Sequence, residues 1–383
     1  MTKNILLFIV FALIALCIAL FSVYKPDYNW DILTYTASVY SLESQDTIGI
    51  HDNSYAVVKN SIPPQAFSNL ISNNKYREEM YTCAKCFFEQ LPFYKVRPLY
   101  IALIFLLYKL NVNIVISTVA VSAFSIFIIG IFIFLWLKRV TGNIWIVFII
   151  SVLLAMSPFL LDASSESSPK ALSAMLIFAA LFLFFKRKFI PFLGIMLLSV
   201  FSRPDNLLLL ILFALPLYLY KGEEIKIKNF YLFASFILAL IFFFLINKWS
   251  DNYSWGVWYE DTFRERITNP AEYTPHFNIT FYLKSFLKWL GLFKFSFIGI
   301  QLILLFLTYI MSSVKIRDLR TNLDMLLLTA VAVSIFIHYV MYPVMDDKYF
   351  IAQYLFIDIM FMKTVLERYN LQQPAGIASG NKE

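Results

Sequence analysis

Asn29-Trp30-Asp31 places a carboxylate within a few residues of the end of the first hydrophobic segment, and charged groups recur beside later segments. Stretches 162–170, 203–205 and 342–348 hold three basic residues, Lys170, Arg203 and Lys348, and five acidic ones, Asp162, Glu166, Asp205, Asp346 and Asp347. Ionisable groups near membrane depth cost free energy and usually face a protein cavity. A ring of mixed charge gathered on one side therefore describes an active-site mouth, where carboxylates exchange protons and fixed cations hold anions. Taken singly, each of these residues is equally accounted for by helix-end snorkelling or a local ion pair. The three histidines, His51, His276 and His338, map to the same side, and a lone His in a helix is more often a hydrogen-bonded core residue than a ligand. No His/Asp/Cys set has metal spacing. Asp346-Asp347 suits a divalent cation, and a helix N-terminus explains adjacent acids equally.

The elements that must position these groups are membrane helices. The chain has 383 residues, 60% hydrophobic and 15% charged, with 40 Phe. Soluble domains run at about 45–50% apolar and about 25% charged. The expected fold is an all-α polytopic membrane protein, one integral membrane domain over 1–383. A span needs roughly 20 apolar residues, fewer where it is bordered by protein. Ten runs qualify: 5–24, 113–137, 143–161, 171–185, 189–202, 206–220, 229–247, 292–313, 323–341 and 349–366. The first is longer than a signal-peptide core and lacks a small-x-small cleavage site, which makes it an uncleaved anchor.

Charge parity decides the doubtful run 98–110. If it stays on one side, Lys138-Arg139, Lys186-Arg187-Lys188, Lys221/Lys226/Lys228, Lys315/Arg317/Arg320 and Lys363/Arg368 all fall on the side of Lys3. That is the positive-inside pattern, with ten spans, both termini cytoplasmic and the site on the periplasmic or extracellular side. The run 98–110 is then an interfacial helix. The net charge of +7 reflects those cytoplasmic loops rather than nucleic-acid binding.

Two regions fall outside. The first, 25–112, carries eight acidic and eight basic residues. Trp30 to Leu42 has helical spacing, Ser61-Ile62-Pro63-Pro64 breaks the chain, and 65–81 reads as a polar surface helix. Cys83 and Cys86 form a lone C-x-x-C, which fits incidental or locally bridged thiols better than zinc or redox work. The second region, 248–291, contains Trp255 and Trp258, which suit the headgroup level or a sugar face. Residues 281–290 read as an amphipathic surface helix. The tail 371–383 is polar and cytoplasmic.

In order of features over residues 1–210 the chain resembles the GT-C superfamily of integral membrane glycosyltransferases, whose members include protein mannosyltransferases and the lipid A aminoarabinose transferases. Four motifs carry the resemblance: Asn29-Trp30-Asp31 past the first span; Lys95-Val96-Arg97-Pro98-Leu99-Tyr100 opening an interfacial helix; Leu161-Asp162-Ala163-Ser164 in the next outer loop; and Ser202-Arg203-Pro204-Asp205 closing a short span. The resemblance implies inverting transfer of a sugar from a polyprenyl-phosphate donor to a glycan or lipid acceptor of the cell envelope. In that scheme Asp31 takes the acceptor proton and Asp162 orients the acceptor or a neighbouring base. Lys95, Arg97, Arg203 and Lys348 meet the donor phosphate. Asp27, Glu166, Asp205, His338, Trp255 and Trp258 contact substrate. Many relatives pair two acids after the first span, whereas Ile32 follows Asp31 here and Asp27 lies one turn earlier. The usual second proline after the basic residue is also missing at Leu99. A divalent cation is left open by these departures. A transporter or lipid flippase, and a non-catalytic subunit of an envelope polysaccharide system, are the competing expectations.

Overall fold

The structure is a computed structural model that describes residues 2–221, 229–291, 296–312, 314, 316–344 and 346–369. The tail 371–383, Lys226, Lys228, Lys315 and residues 292–295 and 313 of the eighth apolar run lie outside the described residues.

Helix α1 (Thr2–Tyr24) is followed by seven helices in the first polar region: α2 (Asp31–Tyr40), α3 (Thr47–Ser61), α4 (Pro64–Ser72), α5 (Lys75–Thr82), α6 (Ala84–Phe88), α7 (Pro92–Lys95) and α8 (Pro98–Lys109). The expected helix over 65–81 is two helices, because Asn74 leaves helical geometry and its side chain caps α5 by accepting from the Arg77 N–H at 3.0 Å. Asp46 caps α3 in the same way. Proline occupies the first turn of α4, α7 and α8, where its missing N–H has no partner to lose.

The apolar series follows: α9 (Ile114–Val140), α10 (Ile144–Ala155), α11 (Pro158–Ser165), α12 (Pro169–Phe185), α13 (Phe189–Ser202), α14 (Asn206–Leu219) and α15 (Asn229–Trp249). The second polar region carries α16 (Trp255–Phe263) and α17 (Ile279–Leu290), before α18 (Ile298–Ser312), α19 (Leu323–Met341) and α20 (Ile351–Arg368) close the fold. No strand forms among the described residues, apart from one isolated bridge between Asp27 and Glu166.

Each of the ten apolar runs carries a helix. Among the described residues, four helices, α1, α9, α15 and α19, are long and apolar enough to cross a bilayer, and six segments qualify if two bent pairs count as one each. The expected run 143–161 is one of those pairs: Pro158 breaks it, and α10 and α11 meet at 55°. The other bend, of 110°, separates α8 from the helices before it. Helices α12, α13, α14 and α18 have 17, 14, 14 and 15 residues, shorter than a full hydrocarbon core requires. Burial divides centre from periphery. The apolar window of α9 is 61% buried, whereas those of α1 and α15 are 28% and 17% buried and leave Leu, Ile and Phe facing outward. Trp136 of α9 is fully enclosed by Phe178, Phe182 and Phe356, which ties α9, α12 and α20 into one core.

The first polar region has a core of its own around α2. Every residue from Ile32 to Val39 is buried. Tyr35 lies edge-on to Tyr94 at 5.3 Å and to Tyr100 at 4.8 Å. His51 is a structural residue here, bonded to Asp52 at 2.7 Å and to the Met80 carbonyl at 3.2 Å. Cys83 and Cys86 are joined by a disulfide.

Candidate active site

Asp31 opens α2, and its position follows from two anchors. Burial of Ile32 through Val39 fixes the helix, and the preceding chain is pinned by the Asp27 N–H donating to the Ser165 carbonyl at 2.9 Å. The first polar region is thereby fastened to the end of α11, next to Glu166 in the α11–α12 connection and Lys170 in the first turn of α12. Arg97 arrives from the turn before α8. Its Nη1 donates to the Tyr35 hydroxyl at 3.1 Å and to the Phe93 carbonyl at 2.9 Å, and the guanidinium lies over Trp258 at 5.7 Å. Arg203 follows α13 and forks onto Asp205 at 3.1 and 2.5 Å, with its face over Tyr349 at 4.4 Å.

These groups line two adjoining cavities. The first, of about 310 Å³, is the more polar of the two and brings together Asp31, Arg97, Lys170, Arg203, Asp261, Arg266 and Asp346. The second, of about 440 Å³, is walled mainly by apolar side chains such as Leu207, Leu208, Phe243 and Met341. Asp205, His338 and Trp255 also line the second. Arg97, Arg203, Trp258, Tyr342 and Tyr349 belong to both. Two guanidinium groups thus stand at the seam between a polar chamber and an apolar one.

The electrostatics are closely paired. Burial pushes the Asp31 carboxyl above its ordinary value of 3.8, against the pull of Lys170, Arg97 and Arg266 and of the Tyr94 hydroxyl. Lys170 reaches Asp346 at 2.8 Å and Glu166 at 3.9 Å, and Lys348 closes on the other oxygen of Glu166. Burial would raise Asp346 and Asp205, yet Lys170 and Arg203 respectively hold them below the usual carboxylate range. Arg266 pairs with Asp261 at 2.7 Å. Among the described residues, Arg97 is the basic group of the polar cavity with no carboxylate at ion-pair distance.

Of the residues singled out in the sequence, Asp31, Arg97, Lys170, Arg203, Trp258 and Asp346 meet in the polar cavity, and Asp205, His338 and Trp255 join the apolar one. The others stand apart. Asp162 is exposed, because Phe159, Leu160, Ala163 and Ser164 take the inward face of α11 and turn it outward. Lys95 lies over the Phe88 ring at 5.4 Å, away from both cavities. Asp27 serves through its backbone, and Glu166 and Lys348 stand behind Lys170. Asp346 and Asp347 take different partners: Asp346 accepts from Lys170, while Asp347 accepts from Ser296 at 2.6 Å and Tyr354 at 3.0 Å.

Sequence reasoning passed over Asp261 and Arg266, which enter from the second polar region. Nothing in Asp261-Thr262-Phe263-Arg264-Glu265-Arg266 marks them out, since long-range docking places them. Gln90 Nε2 donates to the carbonyls of Ile267 at 3.0 Å and Thr268 at 3.2 Å, and Tyr253 donates to the Glu89 carbonyl at 2.8 Å. Gln90→Ala leaves both carbonyls without this donor, at a cost of about 1–3 kcal/mol. Faster proteolysis between residues 264 and 276 is the expected result, and an unchanged cleavage rate would rule out this anchor. The chain matches no family model, no curated protein and no solved structure.

Proposed function

We propose that the chain is an inverting glycosyltransferase that takes a sugar from a polyprenyl-phosphate donor at the outer face of the membrane. One observation carries this reading: Asp31 shares a polar chamber with Arg97 and Arg203, and the same two guanidiniums border an apolar chamber. An amphiphile with a lipid tail, a phosphate and a sugar matches that order of surfaces. The tail lies along Leu207, Leu208 and Phe243, the phosphate meets Arg97 and Arg203, and the sugar enters the chamber of Asp31. The acceptor oxygen attacks the anomeric carbon and its proton passes to Asp31. The bond from that carbon to the phosphate oxygen breaks, and the electron pair leaves with the lipid phosphate. Guanidinium groups fixed in a partly water-excluded site stabilise that developing charge without reorganising. Trp258, at the seam, offers a ring face to the sugar.

Ten crossings with cytoplasmic termini go with this reading, since they set the chambers on the outer side and the basic clusters inside. A reporter fused after Arg139 is expected to signal from the cytoplasm, and an external signal would invert the topology. The direct test of function is incubation with a panel of polyprenyl-phosphate sugars, following release of the lipid phosphate. No release from any member, by folded protein supplied with envelope acceptors, would count against transfer. The flippase reading draws on Asp358, an ionisable residue of α20 bonded to Gln301 of α18 at 3.0 Å. A flippase would move the lipid without releasing its phosphate.

A further inference from the structure

Helix α17 divides into three sectors. At about 100° per residue, Ile279, Leu283, Leu287 and Leu290 fall within one quarter of its circumference. All four are exposed, at 62%, 50%, 63% and 44%. The next sector carries Thr280, Lys284 and Lys288, also exposed. The remaining arc, with Phe281, Tyr282, Ser285, Phe286 and Trp289, faces the protein. Tyr282 donates to the Val340 carbonyl, and Tyr339 donates to the Phe286 carbonyl at 2.7 Å, so α17 is tied to the end of α19 at two points. Trp289 reaches the wall of the polar cavity.

An apolar quarter bordered by lysines and backed by protein is the pattern of a helix lying in a membrane surface. Twelve residues rise about 18 Å, too little to cross the hydrocarbon. At the end of α19, to which α17 is tied, Val340 and Met341 are also exposed, at 36% and 50%. We propose that α17 binds the leaflet nearest the cavity mouth, with its leucines among the acyl chains and Lys284 and Lys288 on anionic headgroups, and that this contact holds the cavity wall formed by Trp289.

The test uses the full chain in lipid nanodiscs, with Cys17→Ser and one fluorophore attached at Leu287→Cys or Lys284→Cys. Lipids with a nitroxide high on the acyl chain should quench the Leu287 label several-fold more than the Lys284 label, and aqueous iodide should reverse that order. Amide exchange over 279–290 should rise several-fold when phosphatidylglycerol is replaced by phosphatidylcholine, and Lys284→Gln/Lys288→Gln should remove that difference. Equal iodide quenching at the two positions overturns the proposal. A Leu287 label shielded from both quenchers, with Leu287-to-Leu287 crosslinks, overturns it in favour of a second copy of the chain. Exchange that ignores lipid charge overturns the headgroup contact.

Discussion

Asp31→Asn should abolish turnover and leave the protein at least as resistant to heat as the wild type. A positioned base typically contributes on the order of 10²–10⁴ in rate, so a loss of that size is expected with whichever lipid-phosphate sugar the wild type accepts. The stability half follows from linkage. Burial raises the Asp31 carboxyl above 3.8, and Lys170, Arg97 and Arg266 offset that only in part. A group whose folded-state pKa is raised contributes stability that is fully present below the unfolded value and is lost as pH rises through the folded one. At neutral pH the ionised carboxylate therefore opposes folding, and a neutral amide of the same shape does not. The melting temperature of Asp31→Asn in detergent should match or exceed that of the wild type near pH 7, with the difference vanishing in acid. Wild-type turnover should fall as pH drops through a point above 3.8, because the base is then protonated. Full turnover by the Asn variant would remove Asp31 from the reaction. Lower heat resistance with lost turnover would recast it as a structural carboxylate.

The balance between what the chain discloses and what it hides has a physical basis. Helices at all ten apolar runs were legible because composition and length are local properties, and Asn113 and Asn143 add local caps to α9 and α10. The helical spacing from Trp30 to Leu42 likewise gave α2. Less legible was the bend at Pro158, which turns one expected span into two helices, the second of which leaves Asp162 exposed. The motif resemblance pointed to Asp31 and Arg97, and charge placement with it to Arg203, but those cues cannot say which cations are already neutralised. Lys348, expected on a phosphate, is held by Glu166. Asp261 and Arg266 come from a stretch whose docking depends on the Gln90 side chain and the Glu89 carbonyl, more than 160 residues distant in the chain. Contacts of that range leave no periodicity to read.

Arg97 should prove the most sensitive cation of the site. Lys170, Arg203 and Arg266 each face a carboxylate, at 2.8, 2.5 and 2.7 Å, so part of their charge is already answered within the protein. Arg97 hydrogen-bonds only to neutral oxygens, those of Tyr35 and Phe93, feels Asp31 without an ion-pair contact, and borders both cavities. Removing one such preorganised group typically costs on the order of 10²–10³ in turnover, which is the loss expected for Arg97→Met. The same change strands the Tyr35 hydroxyl and Phe93 carbonyl, for a stability loss of about 1–3 kcal/mol. Arg97→Lys separates these effects. It restores charge but not the planar fork, so it should recover most of the stability and only part of the turnover. If Asp31 and Arg97 serve one displacement, Asp31→Asn/Arg97→Met should be little slower than the worse single variant, since groups acting in one step are not additive. Losses that multiply in full would assign them to separate steps, and an Arg97→Met protein within a few-fold of wild-type turnover would place the departing phosphate elsewhere.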